Sequence, residues 1–360
     1  MKVGLVTYHR STSYGACLQA YATQTELSKL GNDVIVIDYI NNYEQRIKRV
    51  FFSTDGTFKS LLKNSIKSII FGRSYWLKRA YRNFTNNYTL SSSQYRSAQD
   101  MNDLDFDALI VGSDQVWNSK ISGKLDPVFL LDFGNTNKRI SVASSFGSYI
   151  LNNDERDYFV DCLRRFTSIS VREQFAENQL SQIGINNVKV ICDPTLMISV
   201  DEWNRFLVPC KYNGYLLTYF VSGSFKDFAE RVSLINRNYN FPIYNVQSSN
   251  YHWNGVTKTF VGVTPEAFLG MIKNAEIVVT DSFHGTVFSV LFHKKVVVIN
   301  NASNPIRIKE LLKNLGMERV EFDGTDRVVE YNDKDFEKID NKIEVMRVDA
   351  EKWINQALNS

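Results

Sequence analysis

Residues 276–291, EIVVTDSFHGTVFSVL, constrain the fold more than any other stretch. The run Ile277 to Val279 is short and uniformly apolar, the mark of a strand buried on both faces of a parallel sheet between helix layers. It breaks at Thr280-Asp281-Ser282 into apolar residues at helical spacing from near His284. Ser282 suits the N-cap, which leaves the N–H groups around His284, Gly285 and Thr286 to meet an anion, and Gly285 permits close approach. A phosphate or carboxylate there stands beside an imidazole. The helix dipole disfavours a charged His and a bound anion favours it, so His284 can gain and lose a proton as ligand arrives and leaves. That suits general acid/base work; the other reading is a His that only caps or packs at a strand-to-helix turn.

The same rhythm recurs along the chain. Strands are predicted at 2–7, 33–39, 106–111, 139–145, 168–171 and 188–192, then at 215–221, 243–246, 277–279 and 296–300, with helices between them. With 360 residues the chain is long for one core. Two α/β domains are expected, 1–195 and 196–335, divided just beyond Pro194, with an amphipathic helix over 336–360 packing back toward the first. The four cysteines form no CxxC pair and read as reduced thiols of a cytosolic protein. The Cys/His set has no metal-ligand spacing, so no metal is expected. MKVGLVTY at the start reads as a strand, not a leader, and no apolar run reaches membrane-spanning length.

Charge is uneven. Residues 46–88 hold ten Lys/Arg against the single acid Asp55, a net +9 where the whole chain is +3. Leu62, Ile66, Ile69 and Ile70 recur opposite Lys59, Lys63 and Lys67, followed by Phe71, Tyr75 and Trp76. Two readings stand: a basic amphipathic insertion lying on an anionic membrane surface, or a solvated helix packing on its own domain. The rest of the chain is acidic and carries no nucleic-acid motif, so nucleic acid is not an expected partner.

Loops that follow parallel strands line the ligand crevice. After the first strand these are Ser13, Tyr14, Gly15 and Gln19, in a loop that lacks GxGxxG and any P-loop. After Val111 come Ser113, Asp114, Gln115 and Asn118, able to bond sugar hydroxyls, with Trp117 as an apolar platform; the alternative is a polar turn with a half-buried Trp. Arg172 can clamp a carboxylate or phosphate with its planar fork, or pair with Glu173. Arg307, a cation set against a helix dipole, points to an anion or to a nearby acid.

Two α/β halves with facing crevice loops resemble the Rossmann-like domains of a GT-B fold. Seven stretches in order resemble the polysaccharide pyruvyl transferase family: YGACLQAYATQTELSKLG, IVGSDQVWN, ISVASSFG, SISVREQ, ICDPTLM, VTDSFHGTVFSVLFHKKV and NPIRIKELL. The resemblance implies transfer of the enolpyruvyl unit of phosphoenolpyruvate to a sugar, forming a cyclic ketal and releasing phosphate, with no cofactor. It implies a glycan acceptor, a lipid-linked intermediate of capsule, exopolysaccharide or wall polymer, which gives the basic segment a purpose at the cytoplasmic membrane face. On that chemistry His284 is the acid/base. Arg172 and Arg307 clamp the donor's two anionic groups, aided by Ser282 and Gly285, and Asp114 or Asp281 activates the hydroxyl. The first domain is then the acceptor side and the second the donor side. Arg307 has competitors in Lys294 and Lys295. Two alternatives remain: a nucleotide-sugar glycosyltransferase, with Glu266 as its only ribose-binding candidate, and a non-catalytic glycan-binding protein.

Overall fold

In the computed structural model the described residues are 1–11, 13–41, 81, 83–221, 225–247, 253–299 and 305–360. The basic insertion therefore lies outside them, apart from Tyr81 and residues 83–88. Among the described residues twelve strands form two sheets: β1 Lys2–Val6, β2 Asp33–Tyr39, β3 Leu90–Tyr95, β4 Ala108–Val111, β5 Arg139–Ser144, β6 Ser168–Val171 and β7 Val188–Val190 in the first. The second holds β8 Leu216–Tyr219, β9 Ile243–Gln247, β10 Lys258–Val261, β11 Ile277–Thr280 and β12 Lys295–Val298. Their orders are β3-β2-β1-β4-β5-β6-β7 and β10-β9-β8-β11-β12. Each of these pairings is parallel. The fold is α/β, two Rossmann-like units meeting across a cleft in the GT-B manner.

The central strands β4 and β11 are fully buried, as parallel strands between helix layers must be. The chain reverses its strand order beside β1/β4 in one sheet and β8/β11 in the other, and a crevice opens at the carboxyl ends there. Three helices tie the halves together at that level. Tyr14–Lys29 leaves β1 and packs against the Pro265–Asn274 and Phe283–Leu291 helices of the other half. Phe283–Leu291 is buried on all sides, consistent with its lack of charged residues. Asp333–Asn359, closed by an Asn332/Asp335 capping box, returns to the first sheet. There Arg347 Nε donates to the Leu196 carbonyl at 3.2 Å and Lys138 Nζ to that of Leu358 at 2.7 Å. One apolar cluster accordingly runs from Val3 and Leu18 through Phe283 and Phe288 to Ile354. Among the described residues no helix is long and apolar enough to cross a membrane.

Candidate active site

Four strand ends converge. Ser113 follows β4, Arg172 and Glu173 follow β6, Asp193 follows β7, and His284 stands at the start of the helix after β11. Asp193 is the hub. Its Oδ2 accepts from Arg172 Nη1 at 2.6 Å and from Ser113 Oγ at 3.1 Å, while its Oδ1 lies 3.6 Å from His284 Nε2 and caps the Pro194–Met197 turn through Thr195. Burial alone would raise this carboxyl. The charges of His284 and Arg172, with the Thr195 bond, outweigh burial and hold it well below the usual carboxylate range.

Arg172 is 7% exposed, and its Nε and Nη2 have no hydrogen-bond partner among the described residues. Burial would lower its pKa, but Asp193, Glu173 and Asp114 raise it, so the cation is secure. Its guanidinium lies 4.8 Å from the Phe283 ring centre, and that of Arg307 lies 5.7 Å from the same ring. Arg307 is half-buried, and burial together with Arg172 lowers it to about 10. It remains charged at neutral pH. Arg172, Asp193, Phe283 and Arg307, with Glu173 and Glu310, line an open cleft between the two halves. Buried polar groups left without partners are rare in folded proteins, and here three such residues, Arg172, Glu173 and His284, sit together.

His284 is located by Gly15. A Cβ at residue 15 would come 2.0 Å from His284 Nδ1, so the first turn of the Tyr14–Lys29 helix must be bare to admit the ring. Gly15 thus serves the site as a neighbour of the imidazole.

Other expectations are corrected. Ser282 is the N-cap, but its own oxygens take the N–H groups of Gly285 and Thr286, which are then not available as an anion nest. Gly285 is required by packing, since a Cβ there would meet Thr280 Oγ1 at 2.6 Å. Asp281 accepts from the Val221 amide. Tyr14 is buried, stacked on Phe268 at 4.2 Å and bonded to the Val263 carbonyl; it joins the halves and does not line the cleft. Gln19 is wholly interior, donating to Thr7 and Ala16. Trp117 is 1% exposed with Nε1 on the Phe129 carbonyl, so it offers no face to a sugar. Asn118 caps the Ser119–Ser122 turn and bonds Gln115. Asp114 is half-buried at φ 80°, a left-handed conformation uncommon outside glycine, and its charge is felt by both arginines. Lys294 donates to the Lys273 carbonyl and Lys295 pairs with Glu330, so both are engaged elsewhere. Glu266 is bonded to Asn87. Asp193, Phe283 and Glu310 carry no assigned role in the sequence, and Glu173 enters there only as an alternative partner of Arg172, whose Nε it approaches to 3.7 Å. Asp193 and Glu173 stand where a parallel strand gives way to a helix, the same signal that marks Arg172. Among the described residues no group of three or more His, Cys, Asp or Glu could hold a metal.

Two parallel-sheet halves thus bring two guanidiniums to one cleft, with an imidazole 3.6 Å from the carboxylate that Arg172 holds. The model of the family described as Polysaccharide pyruvyl transferase matches residues 14–304, and the chain belongs to that family. No curated protein matches it. Among solved structures, the UDP-GlcNAc 2-epimerase from Neisseria meningitidis bound to UDP-GlcNAc is 12% identical, covers 100% of both chains and has a TM-score of 0.49. That of Methanocaldococcus jannaschii in complex with UDP-GlcNAc and UDP is 14% identical over 96% of this chain and 93% of its own, with a TM-score of 0.44.

Proposed function

We propose that the protein transfers the enolpyruvyl unit of phosphoenolpyruvate to two hydroxyls of a sugar, forming a pyruvate ketal and releasing phosphate. The observation that supports this most is the pair of guanidiniums flanking Phe283 in one cleft. A donor with a carboxylate and a phosphate on adjacent atoms needs two cations set side by side. Arg172 and Arg307 take those groups. His284 accepts the proton of the attacking hydroxyl, and Asp193, kept ionised, steadies the imidazolium that forms. Asp114 is the carboxylate left at the carboxyl end of β4 to bond an acceptor hydroxyl. Residues 1–195 then present the acceptor and 196–335 the donor's anionic end, with Arg172 reaching across. The acceptor is a lipid-linked glycan of capsule, exopolysaccharide or wall synthesis, and the basic 46–88 segment holds the enzyme at the membrane surface that carries it.

Thermal unfolding tests the donor without an acceptor. Phosphoenolpyruvate at about 100 times its dissociation constant should stabilise the protein by roughly 2.7 kcal/mol. The shift should vanish in Arg172→Ala. A shift with a nucleotide sugar alone would transfer the site to glycosyl transfer. Sedimentation with anionic vesicles tests the membrane role, which fails if the protein stays in solution at low salt.

A further inference from the structure

Ketal formation needs a proton delivered to carbon as well as one removed from oxygen. The cleft holds two buried carboxylates in different surroundings. Asp193 has a hydrogen-bonded ion pair with Arg172 and lies 3.6 Å from His284 Nε2. Glu173 neighbours the same guanidinium but makes no hydrogen bond to it. Its Oε1 accepts from Ser145 Oγ at 2.7 Å, and its Oε2 has no hydrogen-bond partner among the described residues and stands 3.7 Å from Arg172 Nε.

Its place in the chain makes this arrangement unusual. Glu173 is the N-cap residue of the Gln174–Gln182 helix yet makes no cap bond, its side chain turning away from its own helix. Glu310, from the other half, does that work: its carboxylate accepts from the Gln174 amide at 2.8 Å and the Phe175 amide at 3.3 Å. The helix start therefore does not require the Glu173 carboxyl, which is 1% exposed on the cleft wall. The charged groups around it are Arg172 beside it and Arg307 and Glu310 on the Pro305–Leu315 helix. Burial raises its pKa, and the opposing pull of Arg172, Arg307 and Ser145 does not cancel that rise. Asp193 is displaced the other way. Of the two carboxyls, Asp193 is held ionised to support the His284 base, and Glu173 is displaced toward the form that can give a proton.

We infer that Glu173 is the acid that protonates the methylene carbon of the bound donor, an assignment that rests on the phosphoenolpyruvate reading above. The proton on Oε2 passes to C3, and the electron pair of the C2=C3 bond forms the new C–H bond. The first sugar hydroxyl oxygen bonds to C2 as its proton passes to His284, leaving Glu173 ionised. His284 then gives its proton to the departing phosphate oxygen, the second hydroxyl bonds to C2, and that hydroxyl's proton returns to Glu173. One proton ends on the methyl group and one on phosphate, and both catalytic groups are restored.

The first test works with the donor alone. Infrared difference spectra of wild type minus Glu173→Gln, with phosphoenolpyruvate bound at neutral pH, should show the band of a protonated carboxyl; a carboxylate band overturns the assignment. A panel of methyl hexosides and N-acetylhexosaminides then reads phosphate release. Glu173→Gln should lose roughly 10²- to 10⁴-fold in turnover while retaining phosphoenolpyruvate binding and its melting temperature. Formate should partly restore Glu173→Ala, which a purely structural carboxylate would not allow. Turnover of Glu173→Gln within a few-fold of wild type also overturns the assignment. A wild type that binds no phosphoenolpyruvate defeats the functional reading itself, whereas one that binds it with Glu173 ionised defeats this assignment alone.

Discussion

Two regions open on the same side of the first sheet, the loop after β4 and the pair of turns after β6 and β7; both are polar after an apolar strand, yet they differ in how their polar atoms are satisfied. In residues 115–118 after β4, Trp117 Nε1 reaches the Phe129 carbonyl, Asn118 caps a turn, and Gln115 holds Asn118. At the ends of β6 and β7, by contrast, Arg172 and Glu173 keep buried atoms without hydrogen bonds, and Asp193 draws together Arg172 and His284. The first loop is closed on itself; the second is open to a ligand. A buried polar atom without a partner costs stability, so a cluster of them marks where the structure has been shaped for something other than its own folding.

Removing a member of the open cluster should have the largest effect. Arg172→Ala should reduce turnover by at least about 10³-fold, and Arg172→Lys should not restore it, because a point charge cannot reproduce a planar fork. The melting temperature should fall too, since Asp193 loses its Arg172 ion pair. Turnover must therefore be measured on folded protein well below the transition. Near-normal rates would reduce the open cluster to scaffold.

Gly15→Ala should come next. The added methyl collides with the His284 ring, and displacing a reacting group by about 1 Å can cost roughly 10²-fold. Turnover of this variant within a few-fold of wild type would mean that the ring position does not matter to the chemistry.

The closed loop should behave in the opposite way. Trp117→Ala removes a fully buried ring packed on Phe146 and Phe159, and should cost about 3–5 kcal/mol in denaturant unfolding. Catalytic constants per folded molecule should be unchanged. A selective rise in acceptor KM, with stability intact, would return Trp117 to the cleft.

The sequence discloses the parts of this contrast that are local. Buried parallel strands such as ALIV and IVVT announce themselves by uniform hydrophobicity, and Ser282 is identifiable as a cap because capping depends on the next three residues. The edge strands β3 and β10 escape because LSSSQY and KTFV are at most half-buried and carry no such pattern. Arg172 and His284 are marked by their position at strand ends. Their common partner Asp193 is not assigned to them, because nothing near ICDPTLM records which side chains arrive from other strands. Whether a polar loop is closed or open depends on those arrivals. Phe129, which satisfies Trp117, lies twelve residues further along the chain, and His284 and Arg307, which complete the open cluster, come from the other half.

The smallest expected effect is one of slope, in the dependence of stability on pH. Asp193 has a folded-state pKa below its unfolded value, so its contribution is present above about pH 4 and is lost as pH falls through the folded value. Glu173 is raised, so its contribution is full below about pH 4 and is lost as pH rises through its folded value. Glu173→Gln should thus be less sensitive than wild type to rising pH over the range from about 4 toward neutral, where the wild-type carboxyl alone is penalised for ionising. Asn118→Ala, in the closed loop, should lower stability by about 1 kcal/mol at every pH and leave the slope untouched. Denaturant unfolding at a series of pH values separates a changed slope from a uniform offset. Parallel curves for Glu173→Gln and wild type would show that its carboxyl titrates like an exposed one, and would place it with the closed loop.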